Sequence, residues 1–318
     1  MGAGLVILAA ILTVRSLSGT TGNVPVASDR ATVSQVVPPP PLPSIPAIAP
    51  GTYLTMPLDQ YIATRGQQQI FLQAFAKVQS ACMARYGWKF PVPSFSPPAA
   101  RDHGTQFGRS PAQASIYGYH PDPAALSQGG QPGTQATHDT SRRKSQLPLP
   151  AAELAVLNGS GVRVAAGKPV PDGGCSAETY RHLDPTYQTV GQAPAIQAEL
   201  AQRLARTAFL LAEDDGRMQS AVRRWSACMH SAGYAYRTPR QASQDTAWRT
   251  PAPSPAEIAT ATADESCQAR QNLIGTQAAL VAAYQHVLIS RNTRALTAAR
   301  ATLGATLLAA RQAIDSQS

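Results

Sequence analysis

The chain has 318 residues, enough for two ordinary domains or for one domain with long irregular segments. Charged residues make up 14%, against about 25% in a typical globular protein, and the 43% hydrophobic share is rich in alanine, the composition of helices packed closely through small side chains. The net charge of +9 invites an anionic partner, but the basic residues are scattered, the one dense run is Arg142-Arg143-Lys144 and aromatics are 6%, so a nucleic-acid surface of clustered charge and stacking rings is disfavoured.

Leu5 to Val14 is an uninterrupted apolar run. A membrane span needs about 20 such residues and a signal-peptide core about 7 to 15, so residues 1–27 are expected to form an export leader. Membrane attachment through an uncleaved leader is the alternative. No Lys or Arg precedes the run, no cysteine follows it nearby, and the small-residue site Pro25-Val26-Ala27 carries a proline unsuited to cleavage. Residues 28–50, with Pro38 to Pro41, Pro43, Pro46 and Pro50, are expected to be an extended, semi-rigid linker between leader and folded body.

Residues 51–190 form the first expected helical module. Ile62, Ile70, Phe71, Ala74, Phe75, Val78 and Cys82 recur at three- and four-residue steps and predict one buried stripe on a helix within 58–86. Residues 91–150 are rich in Pro, Gly and Ser and read as an irregular insertion, with short helical turns near Pro111–Ser115 and Asp122–Leu126. A short helix is expected at Ala151–Leu157.

Residues 191–318 form the second module. Ile196, Leu200, Leu204, Ala208, Leu211, Met218, Val222, Trp225 and Met229 predict one long amphipathic helix that stops at Gly233. Ser254, Pro255 and Glu257 start the next helix, and nothing interrupts it before about Ile314. Leu273, Leu280, Tyr284 and Val287 share one face, and Leu296, Leu303 and Ala310 recur at sevens. Unbroken, this helix would be about 90 Å long; Gly275 and Asn292 are the places for a bend. The two helices are expected to pack as an antiparallel hairpin, since neither can bury its stripe alone. The fold class is therefore all-α, with two related modules and long irregular segments.

The relation between the modules rests on an internal match. Residues 81–93 read ACMARYGWKFPVP and residues 227–239 read ACMHSAGYAYRTP. Both contain Ala-Cys-Met, then Gly87 or Gly233, then an aromatic-x-aromatic pair (Trp88 and Phe90; Tyr234 and Tyr236), then Pro93 or Pro239. Each block should end a helix with its cysteine inward, turn on the glycine, and seal one side of an extended exit with the aromatics. Cys175 and Cys267 each precede a helical run further along. Four cysteines allow three pairings, and only Cys82–Cys175 with Cys228–Cys267 treats the halves alike. Structural disulfides in an oxidising compartment are expected. Metal ligation is disfavoured, because no C-x-x-C pair exists and His230 is the only histidine close to a cysteine.

Catalytic signatures are absent: no G-x-S-x-G, H-E-x-x-H, phosphate-binding loop or dinucleotide fingerprint occurs. His182-x-Asp184 lies in an expected loop. Glu213-Asp214-Asp215 lies within the predicted long helix and reads as a solvated face. Tyr117-Gly118-Tyr119-His120 reads as an aromatic turn packed onto the helices, with a recognition loop as the rival. No catalytic, cofactor or metal residues are assigned.

Met56-Pro57-Leu58-Asp59, Ala81-Cys82-Met83 with Tyr86-Gly87, Tyr117-Gly118-Tyr119-His120, Pro171-Asp172-Gly173-Gly174-Cys175, Arg224-Trp225-Ser226-Ala227-Cys228-Met229 and Cys267 with Asn272-Leu273 resemble the landmarks of a group of exported actinobacterial proteins, such as those of streptomycetes. The resemblance spans roughly residues 51 to 300. It implies secretion or a lipoprotein-like leader, and it brings no activity with it. The expected function is a non-enzymatic interaction or accessory role outside the cytoplasm, with an envelope protein or cell-wall component as partner. A wall- or lipid-active enzyme with a site assembled from distant residues, and a binder of anionic polymer, are the alternatives.

Overall fold

The computed structural model describes residues 37–42, 44–90, 105–123 and 149–316. The leader, most of the 91–150 insertion and Arg142-Arg143-Lys144 lie outside these residues. The described chain is all-α, with ten helices and two minimal two-stranded ribbons.

Helix α1 (Arg65–Ala84) begins at a capping box in which Thr64 and Gln67 each bond the other's backbone. Its predicted stripe is real: Phe71, Ala74, Phe75 and Cys82 are buried, with Val78 packed alongside. The insertion then contributes strand β2 (Thr105–Phe107), which pairs antiparallel with β1 (Thr52–Leu54), and helix α2 (Pro111–Tyr117), opened by a second capping box from Ser110 and Gln113. Helix α3 (Ala151–Asn158) lies where a short helix was expected. A small ribbon follows, β3 (Val164–Ala165) against β4 (Lys168–Pro169), and leads to α4 (Gly174–Leu183), which carries Cys175.

The long helices of the second half are broken. The first is two helices, α5 (Glu199–Asp214) and α6 (Gly216–Ser231), separated at Asp215, whose backbone is extended (φ −68°, ψ 133°). Its side chain caps α6 by accepting from the Arg217 amide, and an Asx cap of this kind competes directly with helix continuation. After the short α7 (Pro239–Ser243), the predicted last helix is three: α8 (Pro255–Arg270), α9 (Leu273–Arg291) and α10 (Thr293–Asp315). The breaks fall at Asn272, which takes a left-handed conformation (φ 46°), and at Asn292. Asparagine tolerates left-handed geometry better than most residues.

These breaks replace the expected two-helix hairpin. Helix α9 packs on α5 and α6, and its buried residues Leu273, Ile274, Leu280, Val281, Tyr284 and Leu288 form the main core with Trp225 and Met229. It is long and apolar enough to span a bilayer, but half of that span is buried inside the fold. Helix α10 instead turns back to the first half, where Ala310 and Ala313 meet Phe71, Ala74 and Phe75 of α1 and Leu183 of α4. In the other direction α2, from the first half, packs on α8. The expected boundary near residue 190 is thus not a packing boundary.

The proline-rich segment is also more than a spacer. Val37, Leu42 and Ile48 pack on the main core, and Pro40 and Pro50 are buried. The Pro40 carbonyl accepts from Arg217 (2.9 Å), the Pro46 carbonyl accepts from Asn272 Nδ2 (2.9 Å), and the Ile48 amide donates to Asn272 Oδ1 (3.2 Å). An added Cβ on Gly275 would collide with the Pro46 carbonyl, so the strap's close approach to α9 requires glycine there.

Candidate functional site

Two constellations stand out: the disulfide-bridged repeat and a buried polar knot beside it. The structure joins Cys82 to Cys175 and Cys228 to Cys267, the within-copy pairing, with a Cα separation of 5.7 Å in each bridge. Met83 and Met229, next in sequence, are fully buried. Gly87 and Gly233 both take positive φ (87° and 92°), and the following amides of Trp88 and Tyr234 return to the carbonyls of Met83 and Met229. The repeat reaches further upstream than Ala-Cys-Met. Ser80 Oγ donates to the Phe90 carbonyl (2.7 Å), and Ser226 Oγ donates to the Tyr236 carbonyl (2.8 Å), so each serine pins its own aromatic exit strand. The sequence signal was present as a shared Ser-Ala-Cys-Met. Both bridges fit an oxidising, extracytoplasmic compartment.

The polar knot is built where the Tyr117–His120 turn meets α8. Asp264, nearly buried on α8, accepts from Trp225 Nε1 (2.9 Å), Tyr119 Oη (3.0 Å) and Gln268 Nε2 (2.8 Å). Burial raises the Asp264 carboxyl above its ordinary range, and burial together with the adjacent Asp264 raises the Tyr119 hydroxyl strongly. Two turns earlier on α8, fully buried Glu257 receives three contacts at Oε1: the amides of Tyr119 (2.7 Å) and His120 (3.1 Å), and His120 Nδ1 (2.8 Å). His120 Nε2 faces the Thr250 carbonyl (2.7 Å). That carbonyl and the Glu257 carboxylate raise the imidazole's proton affinity. Arg109 donates to the carbonyls of Tyr119 and His120 (3.0 Å each), with burial lowering its own proton affinity. Gly118 (φ 54°) completes the turn; a Cβ there would lie 2.8 Å from Glu257 Oε1. The Tyr119 ring stacks at 6.1 Å on Trp248.

This is the packed aromatic turn rather than a displayed loop. Apart from the second oxygen of Glu257, Oε2, which is buried without a hydrogen-bond partner, its polar groups bond one another, and what they accomplish is mechanical: they fasten residues 105–123 to the second module. Sequence inspection missed Glu257, Asp264 and Arg109 as partners of the turn. Glu257 was legible only as part of a helix start, which it also is, since its amide donates to Ser254 Oγ.

Of the remaining singled-out residues only Asp184 and Asp215 have structural roles, and His182 lies in the last turn of α4 rather than in the expected loop. His182 is exposed, while Asp184 is buried and accepts from the Thr186 amide and hydroxyl and the Ala195 amide. The acidic triplet is not one solvated face. Glu213 and Asp214 are exposed at the end of α5, but Asp215 is buried, with Arg217 at 2.6 and 2.8 Å and the Tyr284 hydroxyl at 3.0 Å. Hydrogen bonding by Arg217 holds its carboxyl down at about 2. Among the described residues no group of three or more His, Cys, Asp or Glu side chains is placed to hold a metal ion. The clefts among the described residues include one of about 190 Å³ between α5 and α10, and an open one of about 630 Å³ beside Cys228 of the second bridge. No protein-family model, curated protein or solved structure matches this chain.

Proposed function

We propose that this chain is an exported helical protein of the cell envelope that acts by binding another envelope component rather than by catalysis. The observation that carries the reading is the doubled disulfide module: each Cys-Met helix is locked to a partner helix by its own bridge, an arrangement suited to a compartment where thiols oxidise. The apolar run at Leu5–Val14 and the resemblance to exported actinobacterial proteins belong to the same proposal. The buried polar groups support a scaffold role, because the knot's charges tie the 105–123 segment to α8 instead of converging on an accessible cleft.

The test is to produce the chain in a streptomycete, fractionate the cells, and block free thiols with an alkylating reagent before any reduction. The expected result is protein outside the cytoplasm that takes up the reagent only after reduction, at four cysteines. Recovery in the cytoplasm with free thiols would reject the proposal.

A further inference from the structure

The two modules are a substitution experiment carried out within one chain, and around the bridges they differ in charge. In the first module Arg85, three residues after Cys82, reaches Glu178, three residues after Cys175, with Nη2 donating to both carboxylate oxygens (2.7 and 2.6 Å). The same Nη2 lies 2.8 Å from Cys82 Sγ, so the ion pair lies directly against the bridge. Val78, four residues before Cys82, joins the apolar cluster of Phe71 and Phe75.

The same steps in the second module land on Ser231, Arg270 and Arg224. The carboxylate has become a guanidinium, the valine a second guanidinium, and the arginine a serine whose hydroxyl donates to its own helix at Ala227 (3.0 Å). Arg270 Nη2 stays 3.7 Å from Cys267 Sγ. Neither Arg224 nor Arg270 forms an ion pair among the described residues. Both line the open cleft of about 630 Å³ with Cys228, Ser231 and Gln271. Arg270 ends α8, where a cation suits the helix dipole, and that accounts for one arginine. It does not account for Arg224, which stands in the middle of α6.

We infer that the cleft beside Cys228 is a docking site for the carboxylate of an acidic peptide segment on a partner protein, held between Arg224 and Arg270 as Glu178 is held by Arg85 in the first module. This deepens the binding reading above and rests on it. A planar guanidinium matches a carboxylate through paired N–H donors, and the two exposed guanidiniums lining this concavity have no ion-pair partner among the described residues. Carboxylate is favoured over phosphate because the first module shows that choice beside a bridge: Arg85, against the Cys82 sulfur, takes the carboxylate of Glu178.

The experiment uses the full oxidised chain, titrated calorimetrically with a hexaglutamate peptide at low salt, with inorganic phosphate as a separate arm. Wild-type protein should bind the peptide more tightly than phosphate. Arg224→Gln and Arg270→Gln should each weaken peptide binding about five-fold, the upper range for an exposed ion pair. The double variant Ser231→Arg/Arg270→Glu, which rebuilds the first module's pair, should abolish binding with the melting temperature kept or raised. Arg294→Gln, on the exposed face of α10, should leave binding unchanged. Peptide binding undiminished in the double variant, equal weakening by Arg294→Gln, or phosphate binding as tight as peptide would overturn the inference. So would absence of peptide binding to the wild type, and export with intact bridges would then leave the broader reading standing.

Discussion

Replacing His120 with alanine tests the polar knot at the point where it meets solvent. The imidazole is 19% exposed, and both of its nitrogens face acceptors: a carboxylate oxygen at 2.8 Å and a backbone carbonyl at 2.7 Å. Neutral imidazole has one N–H and can donate to one of them only; the imidazolium satisfies both. Folding therefore raises the proton affinity of His120 above its ordinary 6.5, first through the Thr250 carbonyl and then through Glu257. A raised folded-state value means that the contribution is complete below the unfolded value and is lost as pH climbs through the folded one. A hydrogen bond to a buried charge contributes about 2 kcal/mol and one to a carbonyl about 1 kcal/mol. His120→Ala should then cost about 3 kcal/mol near pH 6, falling to about half of that well above the folded value. Urea unfolding followed by tryptophan fluorescence, in wild type and variant across this range, gives the difference directly. Taking that difference cancels the titrations of Asp264 and Asp215. A cost that is independent of pH, or that grows as pH rises, would refute the imidazolium clamp.

Removing the second bridge with Cys228→Ala/Cys267→Ala opens a closure of 39 residues, and chain entropy sets the loss at about 4 kcal/mol. A urea midpoint close to that of the oxidised wild type would contradict it. Gly118→Ala forces a side chain into left-handed backbone and against Glu257, so about 2 kcal/mol of stability should disappear. Hydrogen exchange should then accelerate first in residues 105–123. Gly275→Ala should lift the strap from α9 at a cost of about 2 kcal/mol, read as faster exchange or proteolysis within residues 44–50. Unchanged protection there would show that the strap is held elsewhere.

Local chemistry was legible in the amino-acid sequence wherever partners lie within a few residues. The α1 stripe, the Ser254 helix start and the C-terminal glycines of the Cys-Met helices are all short-range features, set by periodicity, capping and left-handed backbone. Duplication also carried the cysteine pairing, because symmetry between copies removes two of three choices. The break at Asn292 falls on one of the two places named for a bend; those at Asp215 and Asn272 escaped because neither residue interrupts the hydrophobic pattern, although Asn272 lies three residues before the other named place, Gly275. Asp215 becomes a break only through Arg217 and through Tyr284, which is 69 residues away.

Tertiary structure alone decided which faces meet. Helix α10 could have closed a hairpin in its own half on its heptad pattern, but Phe71 and Phe75 offer a complementary apolar surface beside Ala310 and Ala313. The proline strap looked like a spacer because proline lacks an amide donor, yet its carbonyls remain acceptors, and Arg217 and Asn272 supply the donors from 177 and 226 residues away. The knot of Glu257 with Tyr119 and His120 likewise spans 138 and 137 residues. A sequence specifies the groups that must be satisfied on burial; the packed chain chooses, among many chemically equivalent partners, those that arrive together.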